Sequence, residues 1–375
     1  MDFDFTDDQE SLRDAVRRWV AKDYDFSQRQ SIVGTGGFSR PAWDGLAGLG
    51  LLGLAVPETH GGMGLGAIDA MVVMEELGRG LVMEPFAQAG LIAPAVLGHA
   101  PAAVQAEWLP RIAGGEALIV LAQQERAARY CLSHVDTRAV DGKLSGTKNL
   151  VAAADQADAF IVPARVRGDV RAADGIALYL VERQAAGVGL RPYSLQDGSR
   201  AGDLSLSDTP ATLLVGPEQG LAVLELAVDI GIAALCAEAV GAMEKLLAIT
   251  ADYMNQRKQF GVAISSFQAL RHRIADVKMQ LELARSMSYF ASLKLGEEPA
   301  ARRRALAQAK LQLGRSMRFV GQQCTQLHGG IGVTDEYISS HYFKRLTVME
   351  MQFGDSLHQL GEVSARMTDK AGVFA

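Results

Sequence analysis

The spacing of apolar positions changes twice along the chain. Over residues 1–115 it is helical: in "FTDDQESLRDAVRRWVAK", Leu12, Val16 and Val20 recur every fourth residue. Thr6 stands ahead of them as an N-cap with Gln9 three residues on, a pattern in which each side chain can bond the other's backbone N–H. "MVVMEELGRGL" predicts a second helix, stopped by its glycines. Over residues 116–215 the apolar runs shorten. "ALIVLAQQ", "AFIVPARV", "GIALYLVE" and "DLSLSD" are β-type stretches broken by Gly, Asp and Pro, dense enough for a small barrel or sandwich. The turns "VDGKLSG" and "LQDGSRAGD" favour antiparallel pairing. Over residues 216–375 the helical period returns. Phe267, Leu270, Ile274, Val277, Leu281 and Ala284 form a narrow seam suited to a bundle, and "ARRRALAQAKLQLGRSMRFVGQQC" predicts a further long helix. The class is α+β, in the order helical, β, helical.

Composition narrows the partners. A formal net charge of −6 argues against nucleic acid or an anionic membrane. The cysteines Cys131, Cys236 and Cys324 are far apart, a spacing that fits neither a metal site nor a disulfide framework and favours a reducing, cytoplasmic setting. The opening "MDFDFTDDQE" is acidic where a signal peptide would be basic. No run of 18 apolar residues predicts a membrane span.

Several motifs could carry chemistry, each with a plain structural reading beside it. "GGMGLG" at Gly61–Gly66 has no βαβ unit around it and reads as a loop between helices. "QRKQFG" at Gln256–Gly261 is an ordinary helix end, or an anion contact through the forked guanidinium of Arg257. "QLHGGIGVTDEY" at Gln326–Tyr337 is a helix terminator, or a backbone stretch open to a phosphate or a ring edge. His328, His341 and His358 form no metal-ligand pattern and read as polar surface or cap residues. "VMEMQFGDSLHQL" brings Glu350, Asp355 and His358 together and raises the question of a catalytic base.

Taken in order, the three-part layout with "LGLLGLAVPETHGG", "RKQFG", "FQALRHRIADV" and "QLHGGIGVTDEY" resembles the acyl-CoA dehydrogenases over essentially the whole chain. The resemblance implies an N-terminal helical domain (1–115), a central antiparallel β-barrel (116–215) and a C-terminal four-helix bundle (216–375). It implies FAD as cofactor, an acyl-CoA substrate, a flavoprotein electron acceptor and α,β-desaturation, in which a glutamate takes the α-proton. Arg257, Phe260, Gln268, Gln326, Gly329 and Gly330 match the set that one subunit lends to FAD in its neighbour. The family's glutamate position falls on Phe353, which has no basic group, and the alternative position on Lys258, a cation. The flavin-facing segment reads "QERAARYC" (Gln124–Cys131), another reads "KNLVAA" (Lys148–Ala153), and an arginine position holds Ile232. This pattern resembles the small subunits of heteromeric α2β2 dehydrogenases acting on steroid side chains or dicarboxylyl-CoAs such as pimeloyl-CoA. The expectation is a partner subunit that completes a FAD site held by a homologous chain. Two alternatives stand beside it: a self-sufficient homo-oligomeric dehydrogenase with Asp355 or Glu350 as a displaced base, and a non-redox acyl-CoA-binding or assembly subunit; an acyl-CoA oxidase, which differs by oxygen access to the reduced flavin, is a further reading.

Overall fold

A computed structural model describes residues 5–367. The first four residues of the acidic opening and residues 368–375 lie outside the described part. Helices α1 (Asp7–Asp23), α2 (Phe26–Gly34), α3 (Arg40–Gly48), α4 (Ala67–Gly80), α5 (Ala93–Leu97) and α6 (Ala102–Ala113) come first. Strands follow: β1 (Ile119–Leu121), β2 (Arg138–Val140), β3 (Lys143–Ala152), β4 (Ala159–Arg165), β5 (Ile176–Glu182), β6 (Val188–Ser194), β7 (Arg200–Pro210) and β8 (Thr212–Val215). Helix α7 (Gly220–Gln256) leads to a short hairpin, β9 (Lys258–Gln259) and β10 (Val262–Ala263). The chain ends in α8 (Gln268–Lys294), α9 (Pro299–His328), α10 (Ile338–Met351) and α11 (Ser356–Ala365). Contacts group these elements into two compact units, residues 1–26, 71–82 and 232–375 in one, and 27–70 and 83–231 in the other.

The first unit is helical. The expected capping box opens α1: Gln9 N–H donates to Thr6 Oγ1 at 3.2 Å and Thr6 N–H to Gln9 Oε1 at 3.1 Å. Helix α9 packs against α8, α10 and α11. Helices α4 and α7 meet backbone to backbone, because a Cβ at Gly78 or Gly241 would collide with the carbonyls of Glu238 and Glu75. Arg345 grips Glu238 with two hydrogen bonds of 2.6 and 2.8 Å, which ties α10 to α7. Helix α7 includes a stretch apolar enough to cross a bilayer, but most of that stretch is buried in the protein.

The second unit carries the sheet, and here the antiparallel barrel expectation is corrected. The strand order is β6-β7-β3-β2-β4-β5-β8, with β1 on the other path to β4. β1 and β2 both run parallel to β4, so the sheet is mixed. Among the described residues its path ends at β6 and β8, which do not pair with each other. β3 is bent by register shifts at Leu144/Gly146 and Lys148/Val151, where extra residues interrupt the ladder with β7. The turn expected in "VDGKLSG" does form: Asp141 and Gly142 both have positive φ and join Val140 to its partner Lys143.

Candidate functional site

The sequence-predicted residues of the C-terminal unit gather around one helix end. Helix α7 stops at Gln256, and the Arg257 N–H still donates to Tyr253 O at 2.8 Å. The chain then reverses: Lys258 pairs with Ala263 and Gln259 with Val262, leaving Phe260 and Gly261 as a two-residue turn. Both turn residues have positive φ, +53° and +82°, the geometry of a type I′ turn. Glycine or asparagine suits that first position; a phenylalanine there costs about 1–2 kcal/mol. Phe260 is nonetheless 91% exposed, its ring meeting the Phe267 ring edge-on at 6.2 Å. Gln268 follows as the first residue of α8.

Beneath the hairpin lies a small core of Met254, Ile264 and Leu327, flanked by Tyr253, Leu270 and Ile274. Leu327 belongs to α9, so this core brings the end of α9 to the end of α7. Gln326, Gly329 and Gly330 therefore join Arg257, Phe260 and Gln268 at one end of the unit. Gly329 has φ +65° and ψ −140°, a conformation only glycine adopts readily. The space over Gly329 and Gly330 is open. The side chains of Arg257, Gln268 and Gln326 make no hydrogen bond or ion pair among the described residues. The donor set fits an anionic cofactor bearing polar rings: one fork of guanidinium donors, two amides and a stretch of glycine backbone.

His328, expected at the surface or in a cap, is instead 3% exposed. Its Nδ1–H donates to Cys324 O at 2.8 Å, and its ring stacks on Tyr253 at 4.7 Å and near Tyr337 at 5.3 Å. Sequence reasoning missed it because a histidine beside two glycines reads as solvated; the tyrosines that bury it are 75 residues before it and 9 after it.

The second place with a chemical look is the turn after α10. Glu350 and Asp355 are near each other in sequence, but both carboxylates are engaged in holding the backbone. Glu350 is buried and accepts from Ser356 N–H at 3.0 Å and Ser356 Oγ–H at 2.7 Å, with Arg318 at 3.5 Å. Asp355 is the N-cap of α11 and accepts from His358 N–H at 2.8 Å. The buried Lys310 ammonium donates to the carbonyls of Met349 and Glu350, 2.9 Å each, and satisfies the end of α10. Burial pushes Lys310 down to about 8, against the pull of nearby acidic groups. Phe353, on which the resemblance places the family's base, has φ +56°, and its carbonyl accepts from Gln359 Nε2 at 2.8 Å. Gly314 on α9 lets this turn approach, since a Cβ there would run into Ser356 Oγ.

In the sheet unit, the two segments that the resemblance makes flavin-facing are bonded to each other and to the sheet. Glu125 accepts from Asp136 N–H (2.7 Å), Thr137 N–H (3.0 Å), Thr137 Oγ1 (2.7 Å) and Lys148 Nζ (2.7 Å). Burial alone would raise its carboxyl; Lys148 and these donors outweigh that and hold it below the usual range. Asn149 N–H donates to Gln124 O at 2.7 Å, and Arg126 N–H to Asn149 Oδ1 at 3.1 Å. Leu150 sits at the β3 bulge with φ +52° and is half exposed. Asp203 holds the bulge, accepting from Tyr193 Oη–H at 3.0 Å and Leu150 N–H at 3.4 Å. Ile232 is buried, and Lys258 lies exposed on β9.

Comparison with known proteins places this geometry. Residues 6–116 match the family description "Acyl-CoA dehydrogenase, N-terminal domain" and residues 218–368 match "Acyl-CoA dehydrogenase, C-terminal domain". The probable acyl-CoA dehydrogenase YngJ of Bacillus subtilis is 28% identical over 373 residues, covering 95% of this chain and 97% of that protein. A solved Tcur3481-Tcur3483 steroid ACAD variant superposes with a TM-score of 0.87 at 27% identity, over 96% of this chain and 97% of the other. The FAD complex of PigA shares the fold, with a TM-score of 0.89 at 22% identity over 98% of this chain and 99% of PigA.

Proposed function

The chain belongs to the acyl-CoA dehydrogenase family, and on that premise we propose that it is the partner subunit of a hetero-oligomeric, FAD-dependent acyl-CoA dehydrogenase. In this reading, residues 1–115, 116–215 and 216–375 correspond to the family's three domains, and 216–375 lends residues to FAD seated in a homologous chain. Arg257, Gln268 and Gln326 would hold the cofactor through their free donors, with Phe260 and the Gly329–Gly330 backbone against it. When bound, FAD supplies the hydride acceptor for α,β-desaturation of an acyl-CoA. The partner chain would supply the base, a flavoprotein would take the electrons, and the cytoplasm is the setting we infer.

The observation that carries the reading is the contrast in commitment. The side chains of Arg257, Gln268 and Gln326 make no hydrogen bond or ion pair among the described residues, while Glu125, Asn149, Glu350 and Asp355 all hold this chain's own backbone or side chains. The displaced-base alternative loses support for the same reason: Glu350 is buried against Ser356 and Asp355 caps a helix, so neither offers a free, mobile carboxylate. The relative whose description joins two names, the Tcur3481-Tcur3483 steroid ACAD, adds weight to a bulky acyl-CoA and a two-chain assembly.

The test is to purify the chain alone and together with a homologous chain from the same genome, and to count FAD. One flavin per two unlike chains, with acyl-CoA-dependent bleaching only in the mixed complex, is the expected result. Full FAD occupancy and turnover in the lone chain would defeat the proposal.

A further inference from the structure

His328 lies directly before the Gly329–Gly330 turn and directly after Leu327, a member of the small core beneath the hairpin that carries Arg257 and Phe260. Its tautomer is set by geometry. The Cys324 carbonyl can only accept, so Nδ1 carries the proton and Nε2 presents a lone pair. That Nε2 is buried and has no hydrogen-bond partner among the described residues. The ring packs in a three-ring cluster with Tyr253 of α7 and Tyr337 of the segment leading into α10, whose own rings are 6.2 Å apart. A Cβ at Gly332 would press on the His328 Cβ and the Thr325 carbonyl, so the glycine-rich turn folds tightly back over this residue.

A second proton would change this packing. It would put an N–H and a positive charge on Nε2 where no acceptor waits. The facing groups give little relief. From α7 come Tyr253 and, next to it in the chain, Asp252, an exposed carboxylate whose charge bears on Tyr337. From α9 itself comes Cys324, whose thiol burial pushes up to about 11, so it stays neutral. From the segment before α10 comes Tyr337, while Asp335 is engaged by Lys344. No carboxylate forms an ion pair with His328 among the described residues. The end of α9 and the tyrosine faces favour a cation modestly. Burial acts more strongly and holds the imidazole below its ordinary value, against the Cys324 bond.

We propose that His328 is a proton-controlled positioning residue for the lent cofactor surface: neutral, it pins the Gly329–Gly330 turn to the end of α7, and protonated, it leaves the ring cluster with Tyr253 and Tyr337 and frees the turn. This rests on the partner-subunit reading for its consequence, because the freed turn is the one assigned to the neighbour's FAD. The sign follows from the depressed histidine. The pinned state is fully favoured above the ordinary value of 6.5 and is lost progressively as pH falls below it. Acidification would then release flavin from the complex before the helical unit unfolds.

The experiment has two arms. In the lone chain, hydrogen–deuterium exchange is followed for the peptide spanning 326–334 between pH 7.5 and 5.5, corrected for intrinsic exchange. Wild type is expected to lose about tenfold in protection there, one decade for each pH unit over which the proton is taken up. His328→Asn, which keeps a donor for the Cys324 carbonyl but never charges, is expected to show a flat profile. His328→Phe serves as a second uncharged variant should the first fail to fold. A flat wild-type profile, or the same loss in both variants, would overturn the proposal. In the co-purified complex, retained FAD is measured across the same window, and wild type is expected to lose flavin at a higher pH than either variant. Equal loss in all three overturns the cofactor role. A complex that carries no FAD even at pH 7.5 sinks the partner-subunit reading, while the exchange arm still decides the pin.

Discussion

Two phenylalanines of the helical unit share an uncommon backbone. Phe260 has φ +53° and Phe353 has φ +56°, both in the left-handed region that disfavours any side chain with a Cβ. Their surroundings are opposite. Phe353 is enclosed by a frame: Gln359 on its carbonyl, Lys310 on the end of α10, Glu350 on Ser356 and Asp355 capping α11. Its conformation is determined by the chain's own bonds. Phe260 stands at the tip of a two-residue turn, 91% exposed, with one edge contact to Phe267. Among the described residues nothing more repays the strain there. Strain that persists without an internal cause points outward, to something the tip must touch. The turn at Phe353 is an internal joint, and the hairpin tip at Phe260 is an exposed face.

The largest test of this contrast concerns a group that belongs to neither place. Glu75 is buried where α4 meets α7, its Oε1 lacks a hydrogen bond, and burial pushes its carboxyl up to about 7. Arg285 lies 3.9 Å away and is shared with Glu244 and Glu282. A carboxyl raised in the folded state contributes stability that is present below its unfolded value of 4.5 and is lost as pH rises through about 7. Relative to Glu75→Gln, wild type should lose about 3 kcal/mol of unfolding free energy between pH 4.5 and pH 8. Urea titrations at a series of pH values measure it. If the two proteins run parallel, full internal bonding of the helical unit extends to Glu75 as well.

The next test cuts the joint. Glu350→Ala leaves the Ser356 N–H and hydroxyl unpaired in a part-buried setting and should cost about 1–2 kcal/mol, read as a lower urea midpoint. A flavin-active lone chain that loses its activity in Glu350→Gln without losing stability would mean that the carboxylate works as a base after all. On the hairpin side, Arg257→Ala should change lone-chain stability by less than about 0.5 kcal/mol. It should nevertheless cut FAD retention in the mixed complex about tenfold, one charge-assisted contact's worth. The smallest effect is also the sharpest. Phe260→Gly should stabilise the lone chain by about 1 kcal/mol by relieving the left-handed phenylalanine, while weakening the complex's hold on flavin. A destabilised lone chain would show that Phe260 serves internal packing and would erase its difference from Phe353.

Local features of this fold were legible because their causes are local. The Thr6–Gln9 box, the Asp141–Gly142 turn and the stop of α7 at Gln256 each depend on residues within four positions of one another. The sheet topology was not legible in the same way. Alternation tells which face of a strand is covered and not which strand lies beside it, so the parallel pairing of β1 and β2 with β4 could not be read from it. β3 went unread because "KLSGTKNLVA" carries a buried lysine and a bulge where an apolar alternation was sought. In the site, the six residues at the hairpin end came from the family resemblance, and the structure adds that they gather at one end of the unit. The engagement of Glu350 escaped notice because Lys310 and Arg318, which frame it, lie 40 and 32 residues away in sequence.

The ends of the sheet carry one last consequence. β8 has four residues, and β6 contains Pro192, which has no N–H to offer. Both rims are therefore poor templates for strand addition, the commonest route by which a β-rich surface recruits another chain indiscriminately. Whatever assembly this polypeptide enters must be chosen by its side chains and not by backbone zippering, which favours a discriminating choice of companion over promiscuous aggregation.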